Sequence, residues 1–265
     1  THTTRDTLSL HDALPIFRDI EEHFEERKAD LIEKLKKISS AIFRVDNLMI
    51  SYTSSEEGVL PAVSAFEKIE HTLNNGEKPK ETHCILHCKK RNEGFQTSSK
   101  VQYVARVGNF IDEGAQYNGA LQILKVILSY DYLWQNVRVK GGAYGCMSNF
   151  NRIGEGYLVS YRDPNLEKTM EVYEGVVKYL EEFTVSERDM NKYIIGTISN
   201  IDRPMTPAAK GDRSMNLYMN HVSEEMMRKE RMEILNAGQE DIRALADVVR
   251  ALLQADMLCR SEERR

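Results

Sequence analysis

The chain has 265 residues, 41% of them hydrophobic, and a formal net charge of -5 with acids and bases interspersed. That is enough chain to bury a substantial core as one large or two unequal domains, and the charge leaves no broad basic face for nucleic acid. No apolar run approaches the ~18 to 20 residues needed to cross a bilayer, and no basic-then-apolar leader opens the sequence, so no membrane partner is expected. Four cysteines, Cys84, Cys88, Cys146 and Cys259, lack disulfide-framework spacing, which suits a reducing compartment: the cytoplasm, or an organelle matrix if the source is a eukaryote.

Thr1 to Ile16 is expected to be a non-native tail. It reads either as an unstructured extension or as the kind of peptide obtained by translating sequencing-adapter DNA, and Arg260 to Arg265 has the same look. Glu21 to Ser40 carries Phe24, Leu31, Leu35 and Ile38 near helical spacing and predicts a helix. Leu48 to Tyr52 predicts a short strand. Gly58 to Leu73 predicts a second helix with Val59, Val63, Phe66, Ile69 and Leu73 on one face, stopped by Asn74-Asn-Gly76.

After a turn at Asn75 to Lys80, strands are predicted at Cys84 to Cys88 and Val101 to Val107. His83, Cys84, His87 and Cys88 put four potential zinc donors within six residues. Strand alternation sets the two thiols on one face and the two imidazoles on the other, so the four cannot converge on one ion.

A strongly apolar helix follows over Ala120 to Leu128, and then Arg138-Val-Lys-Gly-Gly-Ala-Tyr-Gly145, the most informative stretch of the chain. It sets a permanent cation, Arg138, and a phenol, Tyr144, six residues apart across Gly141, Gly142 and Ala143. A guanidinium offers a planar fork of donors, a tyrosine hydroxyl can donate to a carbonyl oxygen as charge develops there, and glycines let the backbone approach a bound chain. The same spacing also suits an ordinary helix-to-strand turn. The glycines fit neither a P-loop, which needs a lysine and hydroxyl ending, nor the order of a dinucleotide fold.

Strands are predicted over Ala143 to Phe150 and Gly156 to Tyr161. Asp163-Pro164 reads as the capped start of a helix bearing Leu166, Met170, Tyr173, Val177 and Leu180. Ser186-Glu-Arg-Asp189 is a capping box, Lys210 to Arg213 reads as a solvated loop, and two helices close the chain at 223 to 236 and 239 to 254. Met215, Met219, Met226, Met227 and Met232 read as adaptable helix packing. Together these elements predict an α+β fold, an antiparallel sheet covered on one side by helices.

Taken in order, Asn92-Glu-Gly-Phe95, Val101-Gln-Tyr-Val-Ala105, Arg138 to Gly145, Ser160-Tyr-Arg-Asp-Pro-Asn165 and Pro204 to Gly211 resemble the C-terminal half of the insulinase-type or pitrilysin-type zinc metallopeptidases, presequence-protease branch. The resemblance covers most of Phe17 to Cys259. It implies a half-domain that closes on unfolded peptide against an N-terminal, zinc-bearing half, whose H-x-x-E-H motif binds the metal and activates water. Neither that motif nor H-E-x-x-H occurs among the seven histidines here, so the zinc of the full-length enzyme is expected to have no ligand in this chain. By the same resemblance Arg138 and Tyr144 are the catalytic contacts to substrate near the scissile bond, with Gly141, Gly142 and Ala143 binding substrate. The implied domains are residues 17–80, the end of the preceding, linker-associated domain, and 81–259, the peptidase-like domain, with 260–265 a second non-native tail. The competing reading is a non-catalytic homologue that serves as a partner or scaffold subunit.

Overall fold

The structure, a computed structural model, describes residues 17–77, 93–97, 100–254 and 257–263. The expected tail at 1–16 and the expected strand and histidine-cysteine cluster at 83–88 lie outside them. Two compact units are present: residues 1–89 with 205–216, and residues 90–204 with 217–265.

In the first unit, helices α1 (Phe24–Ile42) and α2 (Glu56–Glu70) bury no residue fully, and a short 3-10 turn, Val45–Asn47, lies between them. The polar centre of this unit is Arg44, 5% exposed, which pairs with Asp46 at 2.7 Å and donates to the carbonyl of Gly76 at 2.9 Å. The predicted strand at Leu48 to Tyr52 does not form: the segment has no regular structure and no ladder partner among the described residues. Its apolar side chains, Leu48, Met49, Ile50 and Tyr52, are all exposed, so no sheet face was available to fix them.

The predicted loop at Lys210 to Arg213 is also corrected. It lies inside a helix, Pro207–Met219, whose start is set by Thr206: the Thr206 hydroxyl accepts from Ala209 N–H at 3.3 Å and its carbonyl from Lys210 N–H at 3.0 Å. The prolines that look like a break are thus a capping threonine followed by a first-turn proline. Gly211 leaves room for Thr53 against the helix, since a Cβ there would lie 2.1 Å from Thr53 Oγ1.

The second unit holds the sheet, strand order β1-β5-β2-β4-β3, with β1 at Glu93–Thr97, β2 at Gln102–Asn109, β3 at Gly145–Phe150, β4 at Glu155–Asp163 and β5 at Met257–Glu263. The pairs β5-β2, β2-β4 and β4-β3 are antiparallel, and β1 joins β5 in parallel at the edge. β5 takes in residues 260–263 of the segment expected to be foreign. Along β4, Gly156, Leu158 and Ser160 are buried at every second position, the alternation of a strand with one face on a core.

That core is completed by helices: α3 (Ala120–Ile127), α4 (Glu167–Glu181) and α5 (Glu187–Ile201), then, numbering the Pro207–Met219 helix α6, α7 (Glu224–Asn236) and α8 (Gln239–Gln254). Leu121, Leu124 and Ile127 of α3, Tyr173, Val176 and Leu180 of α4, and Ile242, Val249 and Leu252 of α8 join Val104, Phe150 and Leu158 of the sheet in one buried cluster. Burying a side chain of this size contributes about 1.5 to 3 kcal/mol, so this layer carries the stability of the unit. Ser186 and Ser223 cap α5 and α7, each accepting the N–H three residues on at 3.1 Å. The fold is α+β, as the alternating and helical patterns predict.

Candidate functional site

The site begins where α3 changes width. After Ile127 the helix continues as two π-helical segments, Leu128–Tyr132 and Trp134–Val139, and Arg138 sits in the last turn. Widened turns of this kind recur at functional sites because they re-aim side chains. Gly142 ends the helix in the left-handed region, φ +79. Its N–H bonds the Arg138 carbonyl at 2.9 Å, and Ala143 N–H bonds the Val137 carbonyl at 3.2 Å. These are the paired bonds of a left-handed helix cap, each one residue longer than in an α-helix because the last turn is wide. Gly141 is required for space: a Cβ would lie 2.4 Å from the Val137 carbonyl oxygen.

The cap delivers the chain into β3 with Ala143 buried and Tyr144 60% exposed. Arg138, Gly142, Ala143 and Tyr144 line one open depression of about 500 Å³ together with Val139 and Arg162, while Gly141 lines the neighbouring one with Asn165. The Arg138 guanidinium lies over the Trp134 ring at 3.9 Å from its centroid, a stacking platform that holds the fork in place. Tyr144 leans on Tyr161, ring centroids 5.5 Å apart, and the Arg162 guanidinium sits 5.4 Å from the Tyr144 ring centre.

The two sequence motifs are wired into one unit. Tyr144 N–H bonds the Arg162 carbonyl at 3.3 Å, and the Asn165 amide donates to the Gly141 carbonyl. Between them Asp163, fully buried, accepts the Ser160 hydroxyl at 2.6 Å, the Thr169 hydroxyl at 2.7 Å and Asn165 N–H at 2.8 Å. Helix α4 therefore starts at Glu167 and not at Asp163-Pro164 as predicted, since the Asp163 carboxylate is committed to this network and ends β4. Burial pushes the thiol of neighbouring Cys146 up, with Arg138 pulling it down and Asp163 pushing it further up.

Trp134 and Asn165 act here without having been assigned a role from sequence, and Asp163 acts as the centre of this network and not as the helix cap expected of it. Trp134 was detectable, because an aromatic residue four places before an arginine on a helix puts ring and cation on one face. The donors facing the depression are two guanidinium groups and a phenol, a set that repels a cation, and no group of three potential metal ligands occurs among the described residues. These residues do not fit a zinc site.

Residues 92–257 match the family model described as "PreP C-terminal domain". The chain is 43% identical over 235 residues to Protein HypA of Clostridium perfringens, 89% of this chain and 24% of that protein. It is 37% identical over 164 residues to Presequence protease 1, chloroplastic/mitochondrial, of Arabidopsis thaliana, 60% of this chain and 15% of that protein. The chain thus spans about a quarter or less of the length of these relatives. Its fold is that of a Pseudomonas fluorescens peptidase M16 inactive domain (TM-score 0.51, 13% identity, 78% of this chain and 52% of that one) and of a protein from Enterococcus faecalis (TM-score 0.54, 15% identity, 80% and 50%). With the family model covering well over half of its length, the chain belongs to the PreP C-terminal domain family.

Proposed function

We propose that this chain is the substrate-gripping C-terminal part of a presequence-protease-like zinc metallopeptidase that degrades short unfolded peptides, with the zinc held by an N-terminal half outside this chain. The observation that carries the reading is the pairing of a stacked, solvent-reachable Arg138 with an exposed Tyr144 at the mouth of one depression. In this reading Arg138 donates to the backbone of an extended peptide, and Tyr144 donates to the carbonyl oxygen that gains negative charge at the scissile bond. Residues 17–80 are then the end of the preceding domain and 81–259 the peptidase-like domain. The compartment is the cytoplasm or, as for the relative named chloroplastic/mitochondrial, an organelle matrix.

The test is fluorescence anisotropy of a labelled, unstructured peptide with the purified chain. Saturable binding that weakens about tenfold in Arg138→Ala, the size of one charge-assisted bond, is expected, along with no cleavage and no stoichiometric zinc. Absence of peptide binding would favour the scaffold reading, and unchanged affinity in Arg138→Ala would remove Arg138 from the site.

A further inference from the structure

Arg162 sits in an unusual place for its residue type. In the β2–β4 ladder Gln102 pairs with Asp163 and Tyr103 with Tyr161, so Arg162 is the extra residue of a β-bulge. Its φ is +48, in the left-handed region where glycine or asparagine is normally found. An arginine there gives up local stability, and such departures concentrate where a side chain must be re-aimed for function. The bulge brings Arg162 over the Tyr144 ring and into the depression that Arg138 also lines.

Neither guanidinium has an acidic partner among the described residues, and the lining of the depression contains no carboxylate. The carboxylate next in the chain, Asp163, is fully buried and faces Ser160, Thr169 and Asn165. Two permanent cations left to share one open depression repel each other until an anion arrives, and a planar fork matches a carboxylate best.

We propose that Arg162, flanked by Arg138, forms a carboxylate-binding subsite, so that peptides presenting a carboxylate there are preferred. This deepens the peptide-gripping reading and rests on it. The carboxylate can be the C-terminus of the peptide or an acidic side chain, and the two sources separate experimentally.

One labelled peptide is prepared in three forms: amidated and neutral, with a free C-terminal carboxylate, and amidated with one glutamate. Anisotropy with the chain is expected to show one of the two acidic forms binding about tenfold tighter than the neutral form, with the preference shrinking at high salt. Arg162→Asn, which suits the left-handed backbone and so keeps the fold, is expected to abolish the preference; Arg162→Lys is expected to retain part of it. Equal binding of all three forms, or a preference that survives in Arg162→Asn, overturns the subsite and leaves the peptide grip standing. No binding of any form overturns both.

Discussion

Asp163→Ala is expected to be the most damaging single change near the site, although Asp163 faces away from the depression. It removes the acceptor for three donors at 2.6, 2.7 and 2.8 Å. Ser160 and Thr169 are 0% and 2% exposed, so water cannot replace the carboxylate for either hydroxyl. Each stranded donor costs about 1 kcal/mol or more, which puts the variant about 3 kcal/mol below wild type, a large share of the ~5 to 15 kcal/mol that holds a domain together. The chain has a single tryptophan, Trp134, in the second unit, so its fluorescence in urea follows the unfolding of that unit. With a slope of about 2 kcal/mol per molar urea, the midpoint is expected to fall by about 1.5 M. Asp163→Asn should lose about half as much, because its one oxygen still serves the hydroxyls while its NH2 meets Asn165 N–H donor to donor. A midpoint for Asp163→Ala within ~0.25 M of wild type, about 0.5 kcal/mol, would refute the idea that this network holds the two motifs together.

Three further outcomes follow from the same geometry. Gly142→Ala meets no obstruction beyond Pro164 Cγ at 3.6 Å, so its expected loss of about 1 to 2 kcal/mol is wholly the strain of φ +79, and a thermal melt unchanged from wild type would contradict the cap. Trp134→Ala withdraws the platform under Arg138 and is expected to weaken peptide binding about threefold, the size of an exposed cation-π contact; wild-type affinity would mean that the fork needs no support. Cys146, its thiol pushed up chiefly by burial, should be alkylated only at a pH above that needed by an unperturbed cysteine, and Arg138→Ala should move the inflection higher still. Site-resolved mass spectrometry across a pH series checks this, and an inflection at the ordinary thiol value would count against it.

Periodicity was legible where burial enforces it, and capping chemistry where donor and acceptor are close in sequence. β4 alternates because its inner face meets the core, and Ser186-Glu-Arg-Asp189 caps α5 because a side-chain oxygen and its N–H lie within local reach. Where burial is weak the pattern misleads: Leu48 to Tyr52 has strand-like composition but no neighbouring strand to pair with among the described residues. Pro204 and Pro207 look like a break because the eye weighs proline above Thr206, the residue that decides the helix start. At the site, the sequence placed Arg138 and Tyr144 close together across a glycine turn, and the helix cap at Gly142 brings both to one depression. The bulge at Arg162 and the Asp163 network could not, because both arise from pairings between segments distant in sequence: β4 with β2, and Asn165 with Gly141.

The central claim, that this chain supplies a donor to the reacting carbonyl, is tested most directly by Tyr144→Phe in an enzyme that joins this chain to the zinc-bearing half proposed for it. The change removes one hydroxyl and keeps the ring against Tyr161, so the melting temperature should hold. Loss of one oxyanion donor is expected to lower kcat about a hundredfold to a thousandfold with little change in KM for a short unfolded peptide. Wild-type kcat in that variant would show that Tyr144 is a packing residue and that the proposed role of the site is wrong.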